Sequence, residues 1–324
     1  MLKKTRVGFT SWVLEVVGCL VLHCLPSSKV MRSVVRILYG LLNSYMGALQ
    51  EAGAHLFVGH SELNFGNSGS LSDTLPDAVV VLSAIPPDNV EIVHAKSAGI
   101  PVLKQGDWLG KLTEAYNLIA VSGSHVYSMF APSTTTSMIA YILKAMGDDL
   151  TAVIGARVPR FAGENVIHGS GLNFILEADE YNGCFLGLAP HITVVTNVDW
   201  EHVDIFPDEK LVRTIFRRFL RFAMNSNNNG SGAYSLLSDR QGARILNASD
   251  EVKLSHNLEL FSESYSTTTY GISKLNEWHA SSVCSNAHGG SDYKLVEGVL
   301  LQTSAYKVPG VHNVLNSLAV SQNI

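Results

Sequence analysis

The residues of this chain best suited to grip an anion lie between positions 118 and 147, in the run LIAVSGSHVYSMFAPSTTTSMIAYILKAMG. Leu118, Ile119, Ala120 and Val121 predict a buried strand. Gly123 follows, where a turn can aim backbone N–H groups at a phosphate. Ser133, Thr134, Thr135 and Thr136 stand where a helix starts, so their hydroxyls can cap its N-terminus and reach a Mg²⁺ ion. Met138, Ile139, Ile142, Leu143 and Met146 continue at helical spacing, and the positive end of that helix faces the same anion. Strand, turn and helix in this order make a nucleotide phosphate loop. One group is out of place, because such a loop carries Gly-Lys just before its hydroxyls. Counted from Gly123, Val126 and Tyr127 occupy those places; counted back from the hydroxyl run, Ala131 and Pro132 do. About five residues are inserted on either count. Lys144 lies about three turns into the helix, roughly 16 Å off at 1.5 Å per residue, and cannot reach the β and γ phosphates. A plain strand–loop–helix unit with a Thr-rich cap carries the same pattern.

Two further segments add chemistry to that edge. Residues 173–181, NFILEADEY, predict a buried strand that ends in carboxylates. Residues 191–204, HITVVTNVDWEHVD, predict another, ending in Asn, Asp, Glu and His. Open parallel sheets bind ligands at the carboxyl ends of their strands, and carboxylate and hydroxyl oxygens suit Mg²⁺. Three successive strands with polar ends predict one shared site at that edge.

These residues resemble the Mur ligases, the ATP-dependent enzymes that build the peptide stem of peptidoglycan in the cell wall. The family's phosphate loop has the form G-[ST]-H-G-K-[ST]-T-T, and Gly123, Ser124, His125, Ser133, Thr134 and Thr135 are kept around the insertion. Its E-A-D-E-[YF] stands at 177–181. Its T-N-x₃-[DE]-H-x-D is kept as Thr196, Asn197, Glu201, His202 and Asp204. Its P-G-x-H-N-x-x-N stands at 309–316. The likeness runs from about residue 44 to residue 320, and is nearest to the branch that adds L-alanine, in its plant, organelle-type form.

The resemblance implies a reaction and a set of roles. A carboxylate on a UDP-sugar attacks the γ-phosphate of ATP, and the amine of L-alanine displaces phosphate from the resulting acyl phosphate. Glu180 and His202 would be the catalytic residues. Ser133 or Thr134 with Glu180 would hold one Mg²⁺, and His202 would serve a second metal or the phosphate. Gly123, Ser124, His125, Ser133, Thr134 and Thr135 would bind the phosphates; Asn313 and Asn316 would approach the adenine. The fold implied is α/β: a partial Rossmann-like N-terminal domain at 44–116, then a P-loop-type central domain on a parallel sheet at 117–324. Residues 1–43 lack the family's Gly-rich UDP turn, and the family's third domain is expected to be missing after Ile324. The missing lysine predicts an impaired ligase. The alternatives are a non-catalytic nucleotide-binding descendant and a non-functional product of an altered gene.

The rest of the chain frames these segments. With 46% apolar and 16% charged residues among 324, it can bury a large core, and its net charge of −5 gives no footprint for nucleic acid. Cys19, Cys24, Cys184 and Cys284 have no zinc or redox spacing and predict reduced thiols. Lys3, Lys4 and Arg6 precede an apolar run at 12–25, broken by Glu15 and His23, which resembles a signal peptide and is too short and polar to span a membrane. A short core helix and an altered gene structure remain open for this stretch, and the resemblance implies chloroplast or cytoplasm. Strands are predicted at 55–60, 78–85 and 101–103, and helices at 89–97 and 208–222, the last with a solvated basic face. Gly/Ser-rich loops are predicted at 225–232 and 280–292, and strands at 258–261, 268–270 and 299–301.

Overall fold

The computed structural model describes residues 34–37, 55–58, 61, 78–81, 85–124, 132–161, 165–200, 202–203, 205–225, 243–247, 267–297, 300–306 and 310–321. The chain divides into two compact units, Met1–Leu112 and Thr113–Ile324. In the first, β1 (Val34–Ile37) pairs in parallel with β2 (His55–Val58). Strand β3 (Val79–Val81) pairs in parallel with β4 (Val102–Lys104), and α1 (Val90–Ser97) is the crossover between them. Asn89 starts α1 by accepting from Glu91 N at 3.0 Å, and Gly99, at φ +71°, lets the chain leave its end. Ile92, Ala95 and Ile100 are the buried apolar contacts of this turn. A further helix, α2 (Gln105–Thr113), follows β4 and was not expected, because Gly106 and Gly110 lower its helix propensity. Strand β3 falls within the run predicted at 78–85, of which residues 82–84 lie outside the described residues. The apolar run at 12–25 lies outside the described residues, as do most of residues 44–77. No helix among the described residues is long and apolar enough to cross a membrane.

The second unit is built on one ten-stranded sheet. In chain order it contains β5 (Asn117–Ser122), α3 (Pro132–Ala145), β6 (Thr151–Val153), β7 (Val166–Ile167), β8 (Asn173–Glu177) and β9 (Ile192–Val195). Then come α4 (Glu209–Asn225), β10 (Ala243–Asn247), β11 (Thr267–Gly271), β12 (Trp278–Ser285), β13 (Ser291–Glu297), β14 (Leu300–Tyr306) and α5 (Val311–Ser321). The spatial order is β14-β13-β12-β11-β10-β9-β5-β8-β6-β7. Strand β5 therefore sits between β8 and β9, parallel to both. This brings the three polar strand ends to one edge, as the sequence predicts.

The sheet is parallel in its middle, where the sequence predicts a parallel sheet, and antiparallel at both ends. Strand β7 folds back on β6, and β12, β13 and β14 form an antiparallel ribbon. The predicted loop at 280–292 is mostly strand: only residues 286–290 turn. Asn286 makes that turn without an Asn-Gly pair, its Oδ1 accepting from His288 N at 3.1 Å and Gly290 N at 2.8 Å, while Gly289 sits at φ +76°. Along β12 only Ala280 is buried, so the apolar alternation that betrays a strand is absent there. The predicted loop at 225–232 and strand at 258–261 lie outside the described residues, apart from Asn225.

Ile119, Val121, Ile175 and Val194 face one side of the sheet, where they pack with Ile139, Ala140 and Leu143 of α3 and Val314, Leu315 and Leu318 of α5. At roughly 2 kcal/mol per buried large apolar side chain, these contacts hold both helices on the sheet. Helix α4, capped by Asp208 through Leu211 N at 2.8 Å, packs Phe216 and Phe219 on Phe185. Arg217 and Arg218 are exposed on it, in keeping with the predicted basic face.

Candidate functional site

The turn leaving β5 is fixed by the segment leaving β9. A Cβ on Gly123 would stand 2.1 Å from Thr196 Oγ1 and 2.5 Å from Asn197 Oδ1, so only glycine fits. Ser124 is fully buried; its Oγ accepts from Asp199 N at 2.6 Å and from Asn197 Nδ2 at 3.3 Å. Its own N–H donates to Asn197 O at 3.3 Å. Gly123 and Ser124, predicted to cradle phosphate, thus anchor the root of the loop to Thr196 and Asn197. His125 and the rest of the loop to residue 131 lie outside the described residues.

Helix α3 opens with Pro132, which suits a first helical turn. Ser133 Oγ donates to Glu177 Oε1 at 2.9 Å, and Glu177 Oε2 accepts from Gly155 N at 2.5 Å. A side chain at 155 would collide with that carboxylate, at 2.6 Å. Burial pushes Glu177 up from 4.5 to about 7; the two hydrogen bonds pull it down and Glu180 pushes it up. Thr136 and Ser137 return their hydroxyls to Pro132 O and Ser133 O, at 2.7 and 2.6 Å. Thr134 is half-buried in the same turn.

Beyond β8 the chain turns through Asp179, Glu180 and Tyr181. Glu180 is 4% exposed, with Oε1 3.2 Å from His202 Nε2, at ion-pair distance but without the alignment of a hydrogen bond. His202 meets the Tyr181 ring edge-on at 5.4 Å. Its backbone is held at φ +51°, a region that costs a non-glycine residue about 1–3 kcal/mol. Burial and the neighbouring Glu180 push Asp179 up from 3.8 to about 7. Three carboxyls thus crowd one sheet edge beside a strained histidine.

Ser133 pairs with Glu177, and Glu180 pairs with His202. Among the described residues, no three His, Cys, Asp or Glu side chains form one metal-ligating group. Glu177 is the functional candidate that sequence reasoning missed, although it stands at the end of an acidic strand. Glu201 and Asp204 lie outside the described residues. Thr135 Oγ1 donates to Asn316 Oδ1 at 3.2 Å, and both residues are buried. Asn313 is buried too, with Nδ2 2.9 Å from His312 Nε2.

Residues 133–322 match the Mur ligase middle domain, and residues 43–117 match the catalytic domain of the Mur ligase family. This chain belongs to the Mur ligase family. The stretch between the two Mur ligase matches is the one where the phosphate loop departs from Gly-Lys. The chain is 40% identical to the UDP-N-acetylmuramate–L-alanine ligase of Frankia casuarinae over 249 residues, 75% of this chain and 47% of that protein. It is 35% identical to the ligase of the same name from Aquifex aeolicus over 276 residues, 84% of this chain and 53% of that one. The chain spans about half the length of these curated relatives. Its fold is that of the UDP-N-acetylmuramate-alanine ligase of Thermotoga maritima, at TM-score 0.68 and 22% identity over 94% of this chain and 61% of that one. It is equally that of the UDP-N-acetylmuramate:L-alanyl-gamma-D-glutamyl-meso-diaminopimelate ligase of Neisseria meningitides, at TM-score 0.69 and 19% identity over 89% and 83%.

Proposed function

We propose that this chain is the nucleotide-handling part of an ATP-dependent ligase that joins L-alanine to the carboxylate of UDP-N-acetylmuramate. The observation that carries the reading is the pairing at the sheet edge: Ser133 with Glu177, and Glu180 with His202, at 2.9 and 3.2 Å. The names of the relatives support the substrates. The residues fit Mg²⁺, since they offer hydroxyl and carboxylate oxygens and their crowded negative charge favours a cation. Ser133 and Glu177 would hold it, with Glu180 nearby. Bound there, Mg²⁺ would neutralise charge on the phosphoryl group in transfer. Glu180 and Tyr181 hold His202 in place, and burial keeps water from the carboxyls. Glu177 and Asp179, with proton affinities near neutrality, can hold or release a proton at that edge.

The absent Gly-Lys pair favours a second reading, a nucleotide-binding descendant that does not ligate. Loss of one preorganised donor typically costs about 10²–10³ in rate, and here the loop is also longer. Calorimetry should show Mg-ATP binding no tighter than about 1 mM, a free energy near −4 kcal/mol; micromolar binding would refute the impaired loop. Deleting residues 126–130 with Ala131→Gly and Pro132→Lys should tighten it at least about tenfold. ADP release that depends on both UDP-N-acetylmuramate and L-alanine separates ligase from descendant.

A further inference from the structure

The hydrogen bond between Thr135 and Asn316 joins residues 181 positions apart and lies fully inside the second unit. Thr135 is 0% exposed and Asn316 is 2% exposed. The other hydroxyls at the start of α3 stay local or go elsewhere: Ser133 reaches Glu177, Thr136 reaches Pro132 O, and Ser137 reaches Ser133 O. Of these four hydroxyls, Thr135 is the one that ties this turn to α5. On the other side, Asn316 lies in a buried helix face among Val314, Leu315, Leu318 and Ala319. An amide in such a place is costly unless it is paired, so the bond to Thr135 helps set where the helices rest against each other. Thr135 stands two residues beyond Ser133, about 3 Å along the axis. A helix turn moves as one body, so any shift of Thr135 is a shift of Ser133.

We propose that Asn316 is a positioning residue for the start of α3, acting through the Thr135 hydroxyl. It thereby couples α5 to the turn that offers Ser133 to the metal and the phosphates. The functional part rests on the reading of this edge as a nucleotide site; the mechanical part does not. Anything that pulls α5 toward a ligand moves the Ser133 turn by the same contact, and the coupling is reciprocal.

The test compares Thr135→Val, Asn316→Leu, the double variant, and Thr135→Ser, which keeps the hydroxyl and controls for folding. Amides of residues 136–139 should exchange with deuterium about tenfold faster in both single variants. The double variant should be no faster than either single one, and Thr135→Ser should match the parent. Affinities for Mg-tripolyphosphate and Mg-ATP should fall by the same factor in Asn316→Leu. A loss confined to Mg-ATP would make Asn316 an adenine ligand and overturn the proposal. So would unchanged exchange in the first turn, or effects of the two changes that simply multiply. If the parent binds neither polyphosphate, the nucleotide reading fails, and exchange alone decides the coupling.

Discussion

The two ends of the β5-β8-β6 strands are made of similar residues and treat them in opposite ways. At the amino ends, Asn117 Nδ2 donates to Asn173 Oδ1 at 3.2 Å, and Asn173 Nδ2 donates to Asp148 Oδ2 at 2.6 Å. Asp149 Oδ2 accepts from Ser170 N, and Thr151 and Gly169 exchange hydrogen bonds. At the carboxyl ends, Glu177 and Asp179 are pushed up to about 7, Glu180 Oε1 has no aligned donor, and His202 is strained. One edge closes the sheet and satisfies its polar groups. The other keeps raised carboxyls and backbone strain that folding alone would remove, as an edge selected for function would.

The largest effect should come from breaking the closed edge. A Cβ on Gly169 would meet Asp149 O at 2.1 Å and Leu150 O at 2.3 Å, both backbone atoms. Gly169→Ala should therefore cost at least about 3 kcal/mol in urea unfolding. Gly155→Ala meets only the Glu177 side chain, which can move, and should cost about 1–2 kcal/mol. Equal losses would erase the contrast.

The next effect belongs to the frustrated edge. Glu177 and Asp179 bind protons more tightly folded than unfolded, with values raised from 4.5 and 3.8 to about 7. Their contribution to stability is therefore full below about pH 4 and is lost as pH rises toward about 7. At 1.36 kcal/mol per tenfold change in proton affinity, Glu177 alone accounts for roughly 3 kcal/mol. Glu177→Gln, which still accepts from Gly155 N, should flatten the fall in stability between those limits. An unaltered slope would show that burial does not raise this group.

The smallest effect sharpens the comparison. Asn173→Ala removes two hydrogen bonds from the closed edge and should cost about 1–2 kcal/mol. Mg-ATP affinity, measured by calorimetry, should not change. A matching loss of affinity would mean that the two edges are one system.

Much of this contrast was legible in the residues. The apolar runs of β5, β8 and β9 each end in polar groups, and period and length alone place them in a buried parallel sheet. The helices α1 and α4 followed from local chemistry as well. What stayed hidden was non-local. Nothing near Ser133 says that its hydroxyl meets Glu177 rather than Glu180, because the choice depends on how the end of β8 faces α3. Thr135 and Asn316 each suit a ligand role by themselves, and only packing brings them together. The strand β12 escaped notice because it buries so little that its sequence reads as a polar loop.

The position of β5 between β8 and β9 also sets the order of events as the chain is made. Thr196 closes onto Ser122 across 74 residues. At about 5–20 residues per second, the ribosome needs roughly 4–15 s to supply that partner. For that interval the strand destined for the centre of the sheet has at least one open edge, rich in Leu, Ile and Val. Nascent chains of this protein should therefore be most prone to self-association after β5 emerges and before β9 does.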